Sequence, residues 1–226
     1  MASADDVMAT SEMTATGFKF PESVAYDRKA KVLYVSQFGS ELKPTQKDGM
    51  GYISKVSLDG KVLEEKFLPA DGQTMDKPKG IWVSGNHLWT TDIDGVWQFD
   101  LTTKKGRKLA LPGAGFANDP AVMKGVLYVS DNRGDQLFSV SPANFLEAGA
   151  EPKVSVVFSG KHINPNGVFP SGDGTLLVAG FMSKEEHRGV FSISAAGEIK
   201  GVSHPIGRLD GIYQMQSGTL LLTDWD

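Results

Sequence analysis

The chain has 226 residues, 40% hydrophobic, with 23 Lys and Arg against 27 Asp and Glu and a net charge of −4. That length suits one all-β domain with a sizeable core. The mild acidity and the lack of a basic stripe argue against nucleic acid as a partner. The chain has no cysteine, so neither disulfides nor a thiolate metal site is possible, and the compartment is left open on that count.

Residues 1–16 are small and polar, without the apolar run of a signal peptide, and no later stretch approaches a membrane span. They read as a flexible tail ahead of a single domain over 17–226. Ala2-Ser3-Ala4 also fits the remnant of a processed export signal, which favours a periplasmic or secreted location over the cytoplasm.

From there one grammar repeats. A polar residue precedes a small residue or proline and an apolar run, and a short turn leads into a second apolar run. The copies are Glu22-Ser23-Val24, Lys79-Gly80-Ile81, Asp119-Pro120-Ala121, Asn166-Gly167-Val168 and Asp210-Gly211-Ile212. Their intervals, about 57, 40, 47 and 44 residues, fall in the range of propeller blades. The second apolar runs are Val32 to Ser36, His87 to Thr91, Val126 to Asp131, Thr175 to Ala179 and Thr219 to Asp224. Alternation and Gly, Asn and Asp turns make them antiparallel strands. Outer strands follow at Tyr52 to Ser57, Val96 to Phe99 and Gly189 to Ser194. The first interval is lengthened by a polar loop over 37–50, a candidate lid. Residues 142–150 alone suit a helical turn.

The predicted fold is an all-β propeller with about four and a half blades. An open stack leaves unpaired strand edges. The expectation is therefore a ring truncated at its C-terminus, with completion by residues 12–19 or by a second copy of the chain as the alternatives.

Inner strands of a propeller line one channel, so equivalent positions converge on its axis. Glu22, Asp119, Asn166 and Asp210 would then form a ring of oxygen ligands, which suits a hard divalent cation. The competing reading is that Asp and Asn before Gly or Pro are turn formers.

The motifs Pro21-Glu22-Ser23, Asn118-Asp119-Pro120, Asn166-Gly167-Val168 and Asp210-Gly211-Ile212, in this order and spacing, resemble those of the SMP-30/gluconolactonase family of six-bladed, metal-dependent propellers. The resemblance implies one divalent cation, calcium first with magnesium, manganese or zinc as alternatives, held by Glu22, Asn166 and Asp210. It also places Asn118 in the substrate pocket or at the metal. Two departures stand out. Proline precedes Glu22 where the family has Glu-Gly-Pro, and Phe116 occupies the position of a sugar-holding arginine.

The implied activity is hydrolysis of a lactone or ester. The cation would polarise the carbonyl and activate water, Asp210 would act as base and then acid, and Asn118, Asp119 and Lys79 would face the substrate. Lys79 also reads as an exposed lysine in a polar run. The rival is a non-catalytic NHL-like propeller that binds a protein or small ligand, with a structural metal or none.

His87, His162, His187 and His204 lack zinc spacing. Ser36, Ser130 and Thr223 lack a nucleophile elbow and suit hydrogen bonding between blades. Trp82, Trp89 and Trp97 read as core. Asp92, Asp94, Asp131 and Asp135 read as turn residues that could form an acidic rim.

Overall fold

The computed structural model describes residues 14–181 and 188–225. Most of the expected tail, together with His187 and Asp226, lies outside the described residues. Among those described there is no helix, and no helix is long and apolar enough to cross a membrane.

Among the described residues eighteen strands form five antiparallel sheets in chain order. The first sheet is β1 (Pro21–Asp27), β2 (Val32–Gln37), β3 (Tyr52–Ser57) and β4 (Val62–Leu68). The second is β5 (Pro78–Ser84), β6 (His87–Asp92), β7 (Gly95–Asp100) and β8 (Gly106–Ala110). The third is β9 (Ala117–Met123), β10 (Val126–Asp131), β11 (Gln136–Ser141) and β12 (Lys153–Ser159). The fourth is β13 (Pro165–Pro170), β14 (Leu176–Gly180), β15 (Val190–Ile193) and β16 (Ile199–Gly201), and β17 (Leu209–Gln214) with β18 (Leu220–Asp224) makes a two-stranded fifth. The hairpins close on tight turns. Lys124 and Gly125 between β9 and β10 both have positive φ, 50° and 78°, the backbone that matches strand twist in a two-residue loop.

The core is divided among the interfaces between successive sheets. Tyr34, Ile53 and Phe67 of the first sheet pack on Ile81, Leu88 and Phe99 of the second. Trp89 and Val96 meet Leu127, Val129 and Phe138, Tyr128 and Leu137 meet Val168 and Val178, and Leu177 and Val190 meet Leu209 and Ile212. Alternation within each strand supplies an apolar face to both neighbours, so each sheet is buried only once it is stacked. Among the described residues nothing covers that face at the two ends of the stack. Val24 and Tyr26 on β1 remain 61% and 47% exposed, and Leu221 on β18 52%. Trp89 and Trp97 are buried core, and Trp82 is packed at the edge of two clusters.

Two local expectations change. The loop over 37–50 is fastened down. Buried Lys77 donates to the Phe38 carbonyl at 2.9 Å and the Asp48 carboxylate at 2.7 Å, and the Gly49 N–H donates to Asp76 at 2.9 Å. Residues 142–150 form an irregular turn in place of a helical one. The buried Gln98 side chain accepts the N–H groups of Phe145 and Leu146 at 2.7 and 3.0 Å, which supplies from outside the partners a helix would have supplied from within.

Candidate functional site

Each of the five inner strands carries a β-bulge at the same register. Against the second strand, Pro21, Pro78, Ala117, Pro165 and Leu209 pair normally, pairing resumes three residues later, and two residues between them oppose one. The bulged pairs are Glu22-Ser23, Lys79-Gly80, Asn118-Asp119, Asn166-Gly167 and Asp210-Gly211. A bulge bends the strand and re-aims its side chains, so this one distortion, repeated at each sheet, presents one polar residue per sheet at the same height.

The register corrects the sequence reading of the third repeat. Asn118, not Asp119, is equivalent to Glu22, Lys79, Asn166 and Asp210. Asp119 takes the position that is Gly80, Gly167 or Gly211 elsewhere. Those glycines give it room: a Cβ on Gly80 would lie 2.0 Å from Asp119 Oδ1 and 2.7 Å from its Cα. On the other side the Asp119 carboxylate accepts the Val168 N–H at 2.8 Å. Asp119 thus ties the third sheet to the fourth across space left by the second. Gly80→Ala is expected to destabilise the protein by about 1–3 kcal/mol through overpacking, measured by denaturant unfolding, because the clash falls on backbone as well as on the carboxylate.

Hydroxyls opposite the bulges satisfy the extra N–H groups. Ser36 accepts from Ser23 at 2.9 Å, Ser130 from Asp119 at 2.9 Å and Thr223 from Gly211 at 2.7 Å. Ser130 also donates to the Asn166 carbonyl at 2.6 Å, linking neighbouring sheets, and Thr91 donates to the Asn118 carbonyl. Ser36 and Thr223 act within their own sheets. Asp92 and Asp131 leave the predicted acidic rim as well. Both are buried, and they accept the N–H groups of Lys77 at 2.9 Å and Phe116 at 2.8 Å, bracing the entry to β5 and β9. Asp94 stays at the surface, 3.0 Å from Lys108, and Asp135 accepts the Ile163 and Asn164 N–H groups at 2.9 and 2.7 Å. His87 sits at the turn between β5 and β6 against Trp89, with ring centroids 5.7 Å apart.

The structure brings the sequence-predicted residues together. Asn118 donates to the Asn166 side-chain oxygen. Asn166 in turn bonds the Asp210 carboxylate, which also accepts the Trp225 indole N–H at 2.9 Å. Glu22, four sheets away in sequence from Asp210, lies within electrostatic reach of Asp210, Asp119 and Lys79. Lys79 is fully buried, against the reading of an exposed lysine. It donates to the Lys77 carbonyl at 3.2 Å and lies 4.4 Å from the centre of the Phe116 ring.

Crowding these charges in a confined space holds protons on the acids. Loss of water around Glu22 pushes its carboxyl up to about 8, with Lys79 opposing and Asp210 and Asp119 reinforcing. Glu22 remains open to solvent at its own surface, so screening weakens the energetic consequence of that shift. Burial raises Asp119 to about 7, despite its bond from Val168. Asp210 is also raised by burial, with Trp225 and Asn166 pulling the other way. Burial lowers Lys79 to about 8, against the attraction of Glu22 and Asp92.

Below the ring aromatic side chains gather. Three residues past each bulge pair's first member stand Ala25, Trp82, Ala121, Phe169 and Tyr213. Trp82 and Phe169 belong to non-adjacent sheets, yet their rings meet edge to face at 6.1 Å. They meet across the axis, over the small side chain of Ala121. Phe169 meets Tyr213 at 5.0 Å, and the Tyr213 hydroxyl accepts from Arg28 of the first sheet at 3.2 Å. The result is a polar mouth over an aromatic floor. Two surface grooves, one lined by Lys161, Phe191 and Ile199 and the other by His87, Asn144 and Glu147, include no member of the ring.

Two carboxylates and amide oxygens on one level are a hard oxygen-donor set of the kind calcium or magnesium takes. Protonated acids packed together are what a cation would replace. Among the described residues no group of three His, Cys, Asp or Glu side chains is placed to hold a metal, so the fit depends on the asparagine oxygens. Sequence reading missed Trp225 and the floor. Trp225 was visible as an aromatic after the last strand, but only the fold puts it on Asp210.

Antiparallel sheets stacked around a channel, with every first strand innermost, make this chain a β-propeller with four complete blades and half of a fifth. No family model matches the chain, and no curated protein matches it. Solved structures do. A gluconolactonase from Xanthomonas campestris superposes with a TM-score of 0.68 at 16% identity, over 90% of this chain and 69% of the other. A chain of a nidogen/laminin complex gives 0.65 at 18%, over 92% and 73%. The Cps50 (Swd1) β-propeller domain from Myceliophteria thermophila gives 0.63 at 13%, over 93% and 64%. At such identities the likeness carries the fold, which hosts enzymes and binding scaffolds alike.

Proposed function

We propose that the channel mouth is a metal-assisted hydrolytic site for lactone or ester substrates of the gluconolactonase kind. The observation that supports this most is the convergence of Glu22, Asn118, Asn166 and Asp210 on equivalent bulges, at a mouth with aromatics gathered below it. The superposition on a gluconolactonase and the resemblance of the motifs to the SMP-30/gluconolactonase family point the same way.

Glu22, Asn166 and Asp210 would hold one divalent cation, calcium before magnesium, manganese or zinc, whose chemistry is to polarise the carbonyl and make bound water acidic. Asp210 is the base. Trp225 and Asn166 fix its carboxylate from two sides, which positions it to take a proton from water and return it to the leaving alkoxide oxygen. Asn118, whose amide is fixed by Asn166, lines the substrate side, Asp119 braces it from the neighbouring bulge position through its bond from Val168, and Lys79 supplies positive charge at the same level.

The second reading is a binding scaffold without catalysis, NHL-like, with a structural metal or none. Lys79 favours it, because a buried ammonium at the ring's own register can neutralise the acids with no metal at all. In either case the uncovered faces at Val24 and Leu221 suit self-association.

Thermal unfolding with calcium, magnesium, manganese or zinc against chelator separates the two. A ligand held only by the folded state raises Tm. At one hundred times its Kd the gain is about 2.7 kcal/mol, several degrees for a chain of this size. Absence of a shift with every ion would remove the metal. A lactone and aryl-ester panel that gives no turnover in the metal-loaded protein would promote the scaffold.

A further inference from the structure

We infer that the surface groove between the second and third sheets, at the end of the fold away from the ring, binds a small organic oxyanion, with His87 Nε2, Asn144 Nδ2 and Lys105 Nζ as its donors. The groove has a volume of about 480 Å³ and is open to solvent. His87 stands at the turn between β5 and β6, Lys105 in the turn between β7 and β8, and Asn144 in the segment between β11 and β12, and all three line it. Lys79 and His87 lie at opposite ends of the β5–β6 hairpin. The groove shares no residue with the mouth, so the inference does not depend on the hydrolytic reading.

One buried side chain decides what the groove presents. Gln98 is fully buried, and its Oε1 accepts the Phe145 and Leu146 N–H groups at 2.7 and 3.0 Å, which fixes the end of the amide that carries nitrogen. Gln98 Nε2 therefore faces His87 Nδ1 at 3.3 Å and Asn144 Oδ1 at 2.7 Å. An amide nitrogen only donates. His87 must accept at Nδ1, which puts its proton on Nε2, and Asn144 accepts at Oδ1, which leaves the N–H bonds of its Nδ2 for the groove. Asn144 is also held in advance. Trp89 donates to the Ala143 carbonyl at 2.9 Å and Arg107 to the Phe145 carbonyl at 2.8 Å, so little ordering is left for a ligand to impose. Lys105 is exposed and has no carboxylate within ion-pair distance among the described residues.

Two acids border the groove. Asp100 is saturated by its own turn, accepting from the Asn86 amide at 2.7 Å, the Thr102 N–H at 3.0 Å, and the Thr103 N–H and hydroxyl at 2.7 and 3.0 Å. Glu147 is exposed, so solvent screens its repulsion of an anion. Leu146 adds a half-buried apolar wall. Three converging donors, one of them charged, beside an apolar wall suit a carboxylate or phosphate carried on a small organic body.

The test is a titration followed by heteronuclear NMR, with phenyl phosphate, benzoate and neutral benzyl alcohol at constant ionic strength. Saturable shifts of the Asn144 side-chain amide and His87 imidazole signals are expected with at least one of the two anions and not with benzyl alcohol, and the tighter anion tells whether the group recognised is a phosphate or a carboxylate. Lys105→Gln and His87→Phe, which keeps a ring against Trp89, are each expected to weaken that anion about tenfold. Glu147→Gln is expected to strengthen it about twofold by removing a like charge. No saturable shift with either anion, an equal response to benzyl alcohol, or unchanged affinity in Lys105→Gln would overturn the site. Lys105 lies on an exposed turn, so its variant decides the matter even if His87→Phe folds poorly.

Discussion

Asp210→Asn is expected to lower kcat on any lactone or ester that the protein hydrolyses by about 10²–10⁴-fold, the span a positioned general base contributes. The substitution is nearly isosteric. The amide oxygen can still accept the Trp225 indole N–H that holds the carboxylate now, while the bond from Asn166 on the other side is weakened. The blade should therefore keep its shape, and circular dichroism and the unfolding midpoint in chelator should stay close to wild type. What the variant loses is the capacity to take a proton and one negative charge toward a cation. Cation affinity should fall with kcat, and the Tm gain from calcium should shrink. Comparable turnover by Asp210→Asn and wild type would take Asp210 out of the mechanism. Loss of folding in the variant would be uninformative on catalysis, and Glu22→Gln then serves as the second probe, because Glu22 is open to solvent and carries less packing.

The second large effect is on stability against pH in the absence of metal. Asp119 has its pKa raised from 3.8 to about 7 in the folded protein. Between those values the native state holds a proton that the unfolded chain has released. Native stability is therefore greatest at the acidic end of this window and is lost as pH rises through about 7. Full ionisation costs at most about 4 kcal/mol, and less to the extent that channel solvent screens the carboxylate. Glu22, raised to about 8, tilts the curve the same way. Asp48, Asp94 and Asp100 are held below the usual carboxylate range and titrate outside this window. Asp119→Asn removes one ionisation while leaving an oxygen for the Val168 N–H. Urea unfolding at pH 5 and pH 8 should show a steep loss for wild type and a shallower one for the variant. Parallel curves would mean that Asp119 is already ionised at low pH and that confinement at the mouth has been overstated.

How far the site was legible depends on which residue is considered. Glu22, Asn166 and Asp210 could be picked from the chain because each precedes a small or apolar residue at the start of a strand, at blade-like intervals. Asp119 could be picked as well, but at the wrong height. Proline after it made Asp119-Pro120 look like the repeat unit, and only strand pairing shows that Pro120 stands where Val24, Ile81, Val168 and Ile212 do. Lys79 shows the opposite failure. Among Asp76, Lys77 and Pro78 it looks solvated, yet the bulge turns it inward and Phe116 covers it.

The sequence by itself determined that this is an all-β repeat protein, that its first strands bear polar residues at equivalent positions, and that thiol chemistry is closed to it. Those are properties of period, composition and local turn preference, which act over a few residues. Only the tertiary structure decided which residues share a level, which acids face the mouth and which brace strand ends, and that Lys79 is buried among those acids. These depend on bulge register and on packing between sheets. Both bring together side chains more than a hundred residues apart, at distances that no local pattern encodes.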